Sequence, residues 1–457
     1  MNCFPSPMAR CAILLAGLAA GPLQAQENIL DPSYSGDGRQ TVSFDQGGGN
    51  NDRPVDAIRT NSLMTVLVGN VTSAAGNRVG LVRLDLNGNL SPGLGVDGTR
   101  ILDLCMDVAV RDAFYSTGSN KIYVLGETIT CSVDGTRDGR IARLLADGSP
   151  DPTFGVDGAL SFRLQDGEQT VDRVFSMLED ASNGQIVVAG SVVSQGQGLE
   201  RPVAVRLTGA GVNAVVFGPQ SSDNGRLVDV QRVLPSGYLF LFQRDGNALA
   251  RSGGFFRLDI DFMPVGTFGS FGFVGIADSG VQIEGGCSAD RRLVLRRLAT
   301  TLGHHYILGD DGFPSNSLAY ASVAMAGGAG RALRCGGPGI VVQAALADDI
   351  NEAASVYVAG SCPLGRRTAM CVQRLLKRIE SPLLDVDPTF NSAEPGAALS
   401  VEFPADQASE PSSEAVVVQR RNGRTLLLGS RRWSGSDRDF AAAQFFPAPS
   451  LLRDGFE

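Results

Sequence analysis

The sequence predicts an all-β fold, a β-propeller of about seven four-stranded blades of about 60 residues each. Three observations predict it: an opening motif that recurs at sixty-residue intervals, an apolar run closed by glycine, and an alternating run closed by Arg-Leu. Glycine makes up 57 of the 457 residues, well above the usual level of about 7%, which indicates many tight turns. Short strands joined by turns fit these observations best.

The opening motif is clearest in the first three units. LDPSYSGDG at 30–38 is followed by LSPGLGVDG at 90–98 and by PDPTFGVDG at 150–158. Weaker echoes occur at 216–218, 266–269 and 387–390. From Tyr34 to Phe390 the aromatic position advances 356 residues in six steps, or about 59 per step. We therefore expect seven units, with the sixth weakly marked near 335–338.

Two further landmarks recur in register with the motif. The glycine-closed runs end at Gly69, Gly126, Gly190, Gly309, Gly360 and Gly429, and the Arg-Leu pairs lie at 83–84, 143–144, 206–207, 257–258 and 374–375. With a weaker apolar strand such as 171–178, one unit holds about four strands, and we expect each unit to form one sheet. A β-helix or an open array of sheets shares this periodicity, but sixty residues is long for a β-helix coil.

The repeat resembles the delta-60 repeat family of predicted β-propellers from exported bacterial proteins. The third unit matches best, over Asp151–Gly158, Gly184–Gly190 and Val203–Leu207, with Gln185 in place of the usual lysine. The resemblance spans roughly residues 28–447 and is strongest in units one to three. It implies an exported scaffold and supplies no catalytic residues.

The ends of the chain differ from the repeats. Residues 1–25 combine a positive amino end with an apolar run at 11–18, which predicts a secretory signal cleaved after Ala25. That run is too short to span a bilayer, and no membrane span is expected in the mature chain. We predict a propeller over residues 26–447 and a short tail over 448–457. The location is then periplasmic, cell-surface or extracellular.

Six cysteines remain after the signal: Cys105, Cys131, Cys287, Cys335, Cys362 and Cys371. The even count suits an oxidising compartment. Cys362 and Cys371 flank a turn-like stretch, so a hairpin disulfide is expected there. Cys105 could pair with Cys131 in the same way, which leaves Cys287 with Cys335. Buried free thiols are the alternative.

The repeated Asp-Gly pairs are interpreted as turns rather than as catalytic or metal-binding carboxylates. They are Asp37-Gly38, Asp97-Gly98 and Asp157-Gly158. A residue present in unit after unit serves the unit itself, because Asp bonds nearby backbone and Gly tolerates positive φ. Asp85–Asn89 has oxygen-bearing side chains at alternate positions but lacks the glutamate that completes a calcium loop. It too is interpreted as a hairpin turn.

No catalytic or cofactor motif stands out. The formal net charge of −9 argues against nucleic acid as a partner. The basic clusters at 291–297 and 420–432 are interpreted as solvated strand faces. His304 and His305 are the only histidines and lie before an apolar strand, without a nucleophile elbow to serve, and zinc lacks ligands at the required spacing. We therefore expect no cofactor and no bound metal.

These features predict a non-catalytic, exported propeller that binds a surface polymer or a protein through loops on one face. The competing hypothesis is an extracellular polysaccharide lyase or hydrolase that uses carboxylates in the central funnel. A purely structural component of the cell envelope is a third. The sequence names no specific partner.

Overall fold

The computed structural model of the protein describes residues 29–446 with gaps. The gaps are positions 48, 96, 181 and 302 and the segments 105–106, 129–136, 166–169, 195–197, 219–223, 234–236, 245–252, 277–281, 286–292, 311–317, 326–331, 336–338, 349–354, 365–366, 378–382, 392–396, 404–411 and 435–436. The predicted signal, the tail, Cys105, Cys131 and Cys287 lie outside the described residues. The described part contains strands and turns but no α-helix, so the all-β prediction is confirmed.

Four antiparallel sheets have four strands each, arranged in chain order. The first two are β2 (Arg53–Arg59), β3 (Thr65–Ser73), β4 (Gly76–Leu84) and β5 (Thr99–Leu102), then β6 (Ala109–Ser116), β7 (Lys121–Thr128), β8 (Asp138–Leu144) and β9 (Ala159–Phe162). The next two are β10 (Thr170–Asp180), β11 (Gln185–Ser194), β12 (Glu200–Thr208) and β13 (Gly211–Phe217), then β14 (Gly225–Arg232), β15 (Tyr238–Arg244), β16 (Gly253–Leu258) and β17 (Phe273–Gly275).

A five-stranded sheet follows, in the order β18-β22-β21-β20-β19. Its strands are β18 (Gln282–Gly285), β19 (Val294–Thr301), β20 (His304–Asp310), β21 (Leu318–Ala324) and β22 (Ala332–Cys335). The outer strand β18 runs parallel to β22, whereas the other pairs are antiparallel.

The last sheet has nine strands in two groups. One group contains β23 (Val341–Asp348), β24 (Ser355–Leu364), β25 (Arg367–Lys377), β26 (Leu384–Val386) and β27 (Leu399–Val401). The other contains β28 (Ser412–Arg421), β29 (Arg424–Ser434), β30 (Asp437–Phe445) and β1 (Arg39–Val42). A single parallel residue pair, Thr368 with Ser412, joins the groups.

The sheets are out of phase with the sequence repeat. The Asp-Gly turn of a unit is followed by a strand that pairs with the preceding Arg-Leu strand, as β9 after Gly158 pairs with β8. The expectation that one unit forms one sheet is therefore wrong, because the opening motif completes the sheet of the unit before it. In the same way β1 pairs with β30, which brings the start of the repeat region onto its end.

Seven strands, one from each of the five smaller sheets and one from each group of the nine-stranded sheet, contact one another in sequence. We call β2, β6, β10, β14, β19, β23 and β28 the inner strands; each contacts the next, and β28 contacts β2. Apolar clusters fill the space between neighbouring sheets; one joins Val68 and Leu81 of the first sheet to Val124 and Leu144 of the second. Burial of both sheet faces in this way supplies the main stabilising term.

The opening motif binds the end of the Arg-Leu strand. The Asp151 carboxylate accepts the backbone N–H of Thr153 at 3.0 Å and Nε of Arg143 at 2.9 Å. The Arg143 guanidinium lies 4.8 Å from the ring centre of Phe154, which is buried. Although burial opposes it, hydrogen bonds from Thr153 lower the pKa of Asp151 below its ordinary value. Asp387 repeats this arrangement with Thr389, Arg374 and Phe390.

The Asp-Gly turn requires glycine at its second position. Gly38, Gly98 and Gly158 have φ of 84°, 80° and 83°, a region that residues with a Cβ rarely adopt. A Cβ on Gly158 would lie 2.7 Å from Cβ of Pro150 and 2.9 Å from the Asp151 nitrogen. Repetition of the pair therefore reflects the backbone geometry of the turn.

The fourth opening motif is replaced rather than weakened. The echo at 216–218 begins within β13, where Val216 pairs with Ala204 in a regular strand. Phe262 from the next sheet packs instead against the cluster that contains Ala204 and Tyr238. Phe262 has a φ of 68°, and the residue at the same position of the Asp85–Asn89 hairpin is Gly88, with a φ of 80°. Its buried ring fills space that an opening-motif aromatic fills in other units.

A disulfide joins β24 and β25. Cys362 and Cys371 are bonded, with Cα atoms 5.9 Å apart, so the hairpin pairing expected from sequence is confirmed. Cys335 is also disulfide-bonded.

Candidate binding cavity

Every inner strand contains a β-bulge in its first half or at its middle. The register of pairing with the second strand of the sheet shifts by one residue at the same relative place each time. The bulged residues are Val55, Arg111, Phe175, Val228, Arg296, Gln343 and Val416. A bulge re-aims a side chain that regular pleating would turn elsewhere.

All of these bulged side chains line one cavity of about 530 Å³. The cavity lies at the end of the sheets where the inner strands begin, which we call the cavity end. The Asp-Gly turns lie at the opposite end, where the inner strands finish, which we call the turn end. A volume in the range of about 300–1,000 Å³ suits a small ligand or the end of a polymer.

The polar lining is dominated by arginine. Arg53, Arg111, Arg226, Arg296 and Arg297 line the cavity, and Glu414 is its only acidic lining residue among the described residues. The side chains of Arg111 and Arg296 are 42% and 36% exposed, so part of each guanidinium is open to a ligand. Gln343 and the ring of Phe175 add an amide and an aromatic surface.

Buried carboxylates hold the two bulged arginines from behind. Arg111 Nη2 lies 3.1 Å from Oε2 of Glu127, and Arg296 Nε lies 3.4 Å from Oδ2 of Asp310. Glu127 and Asp310 occupy the same repeat position, directly after the glycine that closes the apolar run. The other sheets have Asn70, Ser191, Gln243, Ser361 and Ser430 there. An acid at this position thus accompanies an arginine at the bulge.

Other carboxylates around the cavity are shared between arginines. Glu200 binds Arg173 at 3.5 Å and Arg226 at 3.8 Å, and Glu127 binds Arg137 at 3.2 Å besides Arg111. Glu414 likewise binds Arg438 and Arg53, at 3.3 and 3.9 Å. Since a guanidinium has five N–H donors, single contacts of this kind orient it and leave donors free.

The side chains just past the bulges lie next to the cavity lining, and of these Arg297 itself lines the cavity. We call Asp56, Asp112 and Asp229 the floor aspartates. Asp112 donates a hydrogen bond to Asp56, and Asp229 accepts one from Ser176 at 3.2 Å. Arg297 stabilises the charged forms of all three aspartates. Because Arg297 is on β19 whereas Asp56 and Asp112 are on β2 and β6, its side chain acts across the middle of the inner strands.

Each floor aspartate is also bonded to the backbone of a neighbouring sheet. Asp56 accepts N–H of Ala113 at 3.2 Å, Asp112 accepts that of Met177 at 2.6 Å, and Asp229 accepts that of Leu298 at 2.7 Å. Their second oxygens accept the N–H of the following residue on their own strand. The floor carboxylates therefore join the inner strands.

Burial raises the pKa values of the floor aspartates. Desolvation, followed by the charge and the hydrogen bond of Asp56, raises the pKa of Asp112 well above its ordinary value. Burial also raises the pKa of Asp229, against the opposing effect of Arg297. Burial likewise raises the pKa of Asp56, against the opposing effects of the hydrogen bond from Asp112 and of Arg297.

The residues singled out from sequence lie mostly away from this cavity. The Asp-Gly pairs are at the turn end, and Asp85 accepts N–H groups of Asn87 and Asn89 within its own hairpin, at 2.8 and 2.9 Å. His304 begins β20, and His305 is buried beside Thr300. Of the basic cluster at 291–297, Arg291 and Arg292 lie outside the described residues, whereas Arg296 and Arg297 line the cavity.

No group of three or more His, Cys, Asp or Glu side chains in the described residues is arranged to hold a metal ion. A search of the same part of the chain for a long apolar helix able to cross a membrane finds none.

Residues 118–154 match a family model described as a domain of unknown function (DUF5122) beta-propeller. The fold is a β-propeller. The matched segment runs from β7 through β8 to the third opening motif, where the repeat is most regular. No curated protein matches the sequence.

Several solved structures are distantly similar to the propeller. A protein of unknown function from Dyadobacter fermentans is 10% identical, with a TM-score of 0.39 over 89% of this chain and 99% of its own. The polysaccharide lyase Uly1 is 10% identical, with a TM-score of 0.45 over 86% and 90%. The Dos1 propeller is 8% identical, with a TM-score of 0.42 over 88% and 95%. At these scores no property of those proteins is carried over.

Proposed function

We propose that this protein is an exported, seven-bladed β-propeller that binds an acidic carbohydrate in its central cavity without transforming it. The seven blades are the five smaller sheets and the two groups of the nine-stranded sheet, which share only the Thr368–Ser412 pair. Contact between β28 and β2 and pairing of β1 with β30 support a closed ring.

One observation carries the proposal: each inner strand contributes a bulged side chain to a cavity whose charged lining is five arginines and one glutamate. Arginine is suited to carboxylate and sulfate groups because its planar fork donates two parallel hydrogen bonds. The cavity also offers Phe175 and an amide, which suit the C–H face and hydroxyls of a sugar. We therefore propose the cavity as the binding site, in place of the loops on one face that the sequence predicted.

The floor carboxylates favour binding over glycoside hydrolysis. The paired carboxyl groups of glycosidases stand about 5 Å or more apart, with the sugar between them. Asp56 and Asp112 are hydrogen-bonded to each other, and both oxygens of each accept backbone N–H groups. Carboxyl groups held in this way stabilise the junction between blades.

Two features support the proposal that the protein is exported: the predicted signal and the use of cysteine. Cleavage after Ala25 would release a mature chain of the propeller, over 26–447, and the short tail. The Cys362–Cys371 disulfide suits an oxidising compartment outside the cytoplasm.

Binding to acidic polymers in their charged and neutral forms tests the proposal. Purified chain from residue 26 onward is titrated against immobilised polygalacturonate, alginate and hyaluronate, each compared with its methyl-esterified form. We expect at least one acidic polymer to bind at least about tenfold more tightly than its ester, because a hydrogen bond between charged groups is worth about 1.5–3 kcal/mol. Equal affinity for the charged and esterified forms of all three would overturn the proposal.

A matched pair of variants locates the binding site. Arg111→Gln with Arg296→Gln removes the charge of both bulged arginines, and we expect it to abolish preference for the acidic form. Arg59→Gln is the control, because Arg59 is exposed at the far end of β2, at the turn end. Unchanged binding by the double variant would place the ligand elsewhere.

A further inference from the structure

Four of the five cavity arginines fall into two groups on opposite sides. Arg53 and Arg111 come from the adjacent inner strands β2 and β6, and Arg226 and Arg296 from the adjacent strands β14 and β19. The strand β10 separates the groups on one side, and β23 with β28 separates them on the other. Two cationic poles therefore face each other across the opening.

Among the described residues, the wall between the two poles contains one charged lining side chain, that of Glu414. On β10 it presents Phe175, whose ring lies 5.9 Å from the Arg226 guanidinium carbon, and on β23 it presents Gln343. On β28 the residues are Glu414, bound to Arg438 at 3.3 Å, and Val416. An aromatic face and an amide suit a neutral, hydroxylated body held between two anionic groups.

The floor aspartates limit how deep a ligand can lie. Arg297 acts across the ring on Asp56 and Asp112, which also accept backbone hydrogen bonds that hold them in place. Arg297, the fifth lining arginine, is thus engaged with carboxyls that do not themselves line the cavity, so it is not offered to a third anionic group. The cavity is therefore suited to a chain end rather than to a threaded polymer.

On the basis of the proposed function, we infer that the cavity binds the terminal disaccharide of an acidic polysaccharide, with one carboxylate at the Arg53–Arg111 pole and the other at the Arg226–Arg296 pole. Arg111 and Arg296 are the specificity-determining residues of the two poles, because each is a bulged side chain oriented by its own buried carboxylate. Galacturonate residues joined in a dimer are the simplest probe of this geometry.

Calorimetric titration with galacturonate, digalacturonate and polygalacturonate tests the inference. We expect digalacturonate to bind at least about 100-fold more tightly than galacturonate, because the second carboxylate binds without a further loss of translational freedom. Polygalacturonate should bind with one protein per chain end rather than along its length.

The single variants separate the two poles. Arg111→Gln and Arg296→Gln should each lower digalacturonate affinity at least about tenfold and change galacturonate affinity by about twofold or less, because one pole remains for a single carboxylate. Arg59→Gln should change neither affinity. Circular dichroism and thermal unfolding confirm that each variant is folded before titration.

Three results would overturn the inference in distinguishable ways. Equal affinity for galacturonate and digalacturonate would mean a single anion site, and the proposed function would stand. Binding of the polymer along its length, without binding of the dimer, would mean an extended surface, and the proposed function would again stand. Failure of every acidic polymer to bind better than its ester would overturn both the inference and the proposed function.

Discussion

The two ends of the propeller follow different rules. At the turn end, Asp151 and Asp387 make the same contacts in their own units, and Gly38, Gly98 and Gly158 share one backbone conformation. At the cavity end, the equivalent bulge positions hold valine, arginine, phenylalanine and glutamine. Repeated residues therefore build the blade, and departures from the repeat shape the cavity.

The comparison predicts that changes at the turn end alter stability and leave binding intact. The largest effect is expected for Gly158→Val, because a Cβ there meets Pro150 and the Asp151 backbone and because φ is positive. Strain and overlap together should cost about 4 kcal/mol in the free energy of unfolding, measured in urea. Gly184→Val is the control: φ is 68° but nothing lies within 4 Å, so the loss should be about 2 kcal/mol smaller. Similar losses for both would contradict this account of the turn.

His305 departs from the repeat and lies outside the cavity, and it should make the free energy of unfolding depend on pH. Burial lowers the pKa of His305 from 6.5 to about 4, so the unfolded chain binds a proton that the folded chain does not. The contribution is present above pH 6.5 and is lost as the pH falls from 6.5 towards 4, by up to about 3 kcal/mol.

The His305 contribution is isolated by difference. The free energies of unfolding of the wild-type protein and of His305→Gln are measured across pH 7 to 4, so that the other titrating groups cancel. The gap between them should narrow with falling pH. A constant gap would show that His305 titrates normally in the folded protein.

The disulfide is a departure from the repeat at the cavity end that stabilises the fold. Cys362 and Cys371 lie on either side of the β24–β25 hairpin, with nine residues of sequence separation. Replacing both with alanine should cost about 2–3 kcal/mol in thermal unfolding, mainly because the unfolded chain gains freedom. Affinity for acidic ligand should stay within twofold of the wild type. A large loss of affinity without loss of stability would place the hairpin in the binding site.

The smallest effect is expected for Glu127, the buried carboxylate that contacts Arg111 of the cavity. Glu127→Gln keeps an acceptor for the Val174 N–H but removes the charge that orients Arg111. Acidic-ligand affinity should fall about tenfold, whereas stability should fall by only about 1 kcal/mol because the arginines are partly exposed. Glu179→Gln, on the turn-end half of β10, is the matched control. Equal affinity of both variants would show that Arg111 needs no such support.

The sequence predicted the turn end more fully than the cavity. Asp-Gly turns, glycine-closed strands and the Cys362–Cys371 pairing depend on residues close together in the chain. The predicted sheet boundaries differ from the observed ones, because the opening motif hydrogen-bonds to the preceding Arg-Leu strand. The bulges were missed because they depend on strand register, which a sequence pattern does not fix.

One signal of the cavity was nevertheless present in the sequence. Glu127 and Asp310 are charged where the same repeat position otherwise holds small or amide side chains. An acid that follows a buried, glycine-closed strand needs a cation nearby, since an unpaired buried charge is costly. Looking for that cation on the preceding strand finds Arg111 and Arg296.

A crystal structure of the protein with digalacturonate tests the central claim most directly. The account predicts one disaccharide in the cavity, with a carboxylate within about 3 Å of Arg111 and the other within about 3 Å of Arg296. A saturated complex with the disaccharide at the turn end, or on the outer strands with the cavity empty, would contradict it.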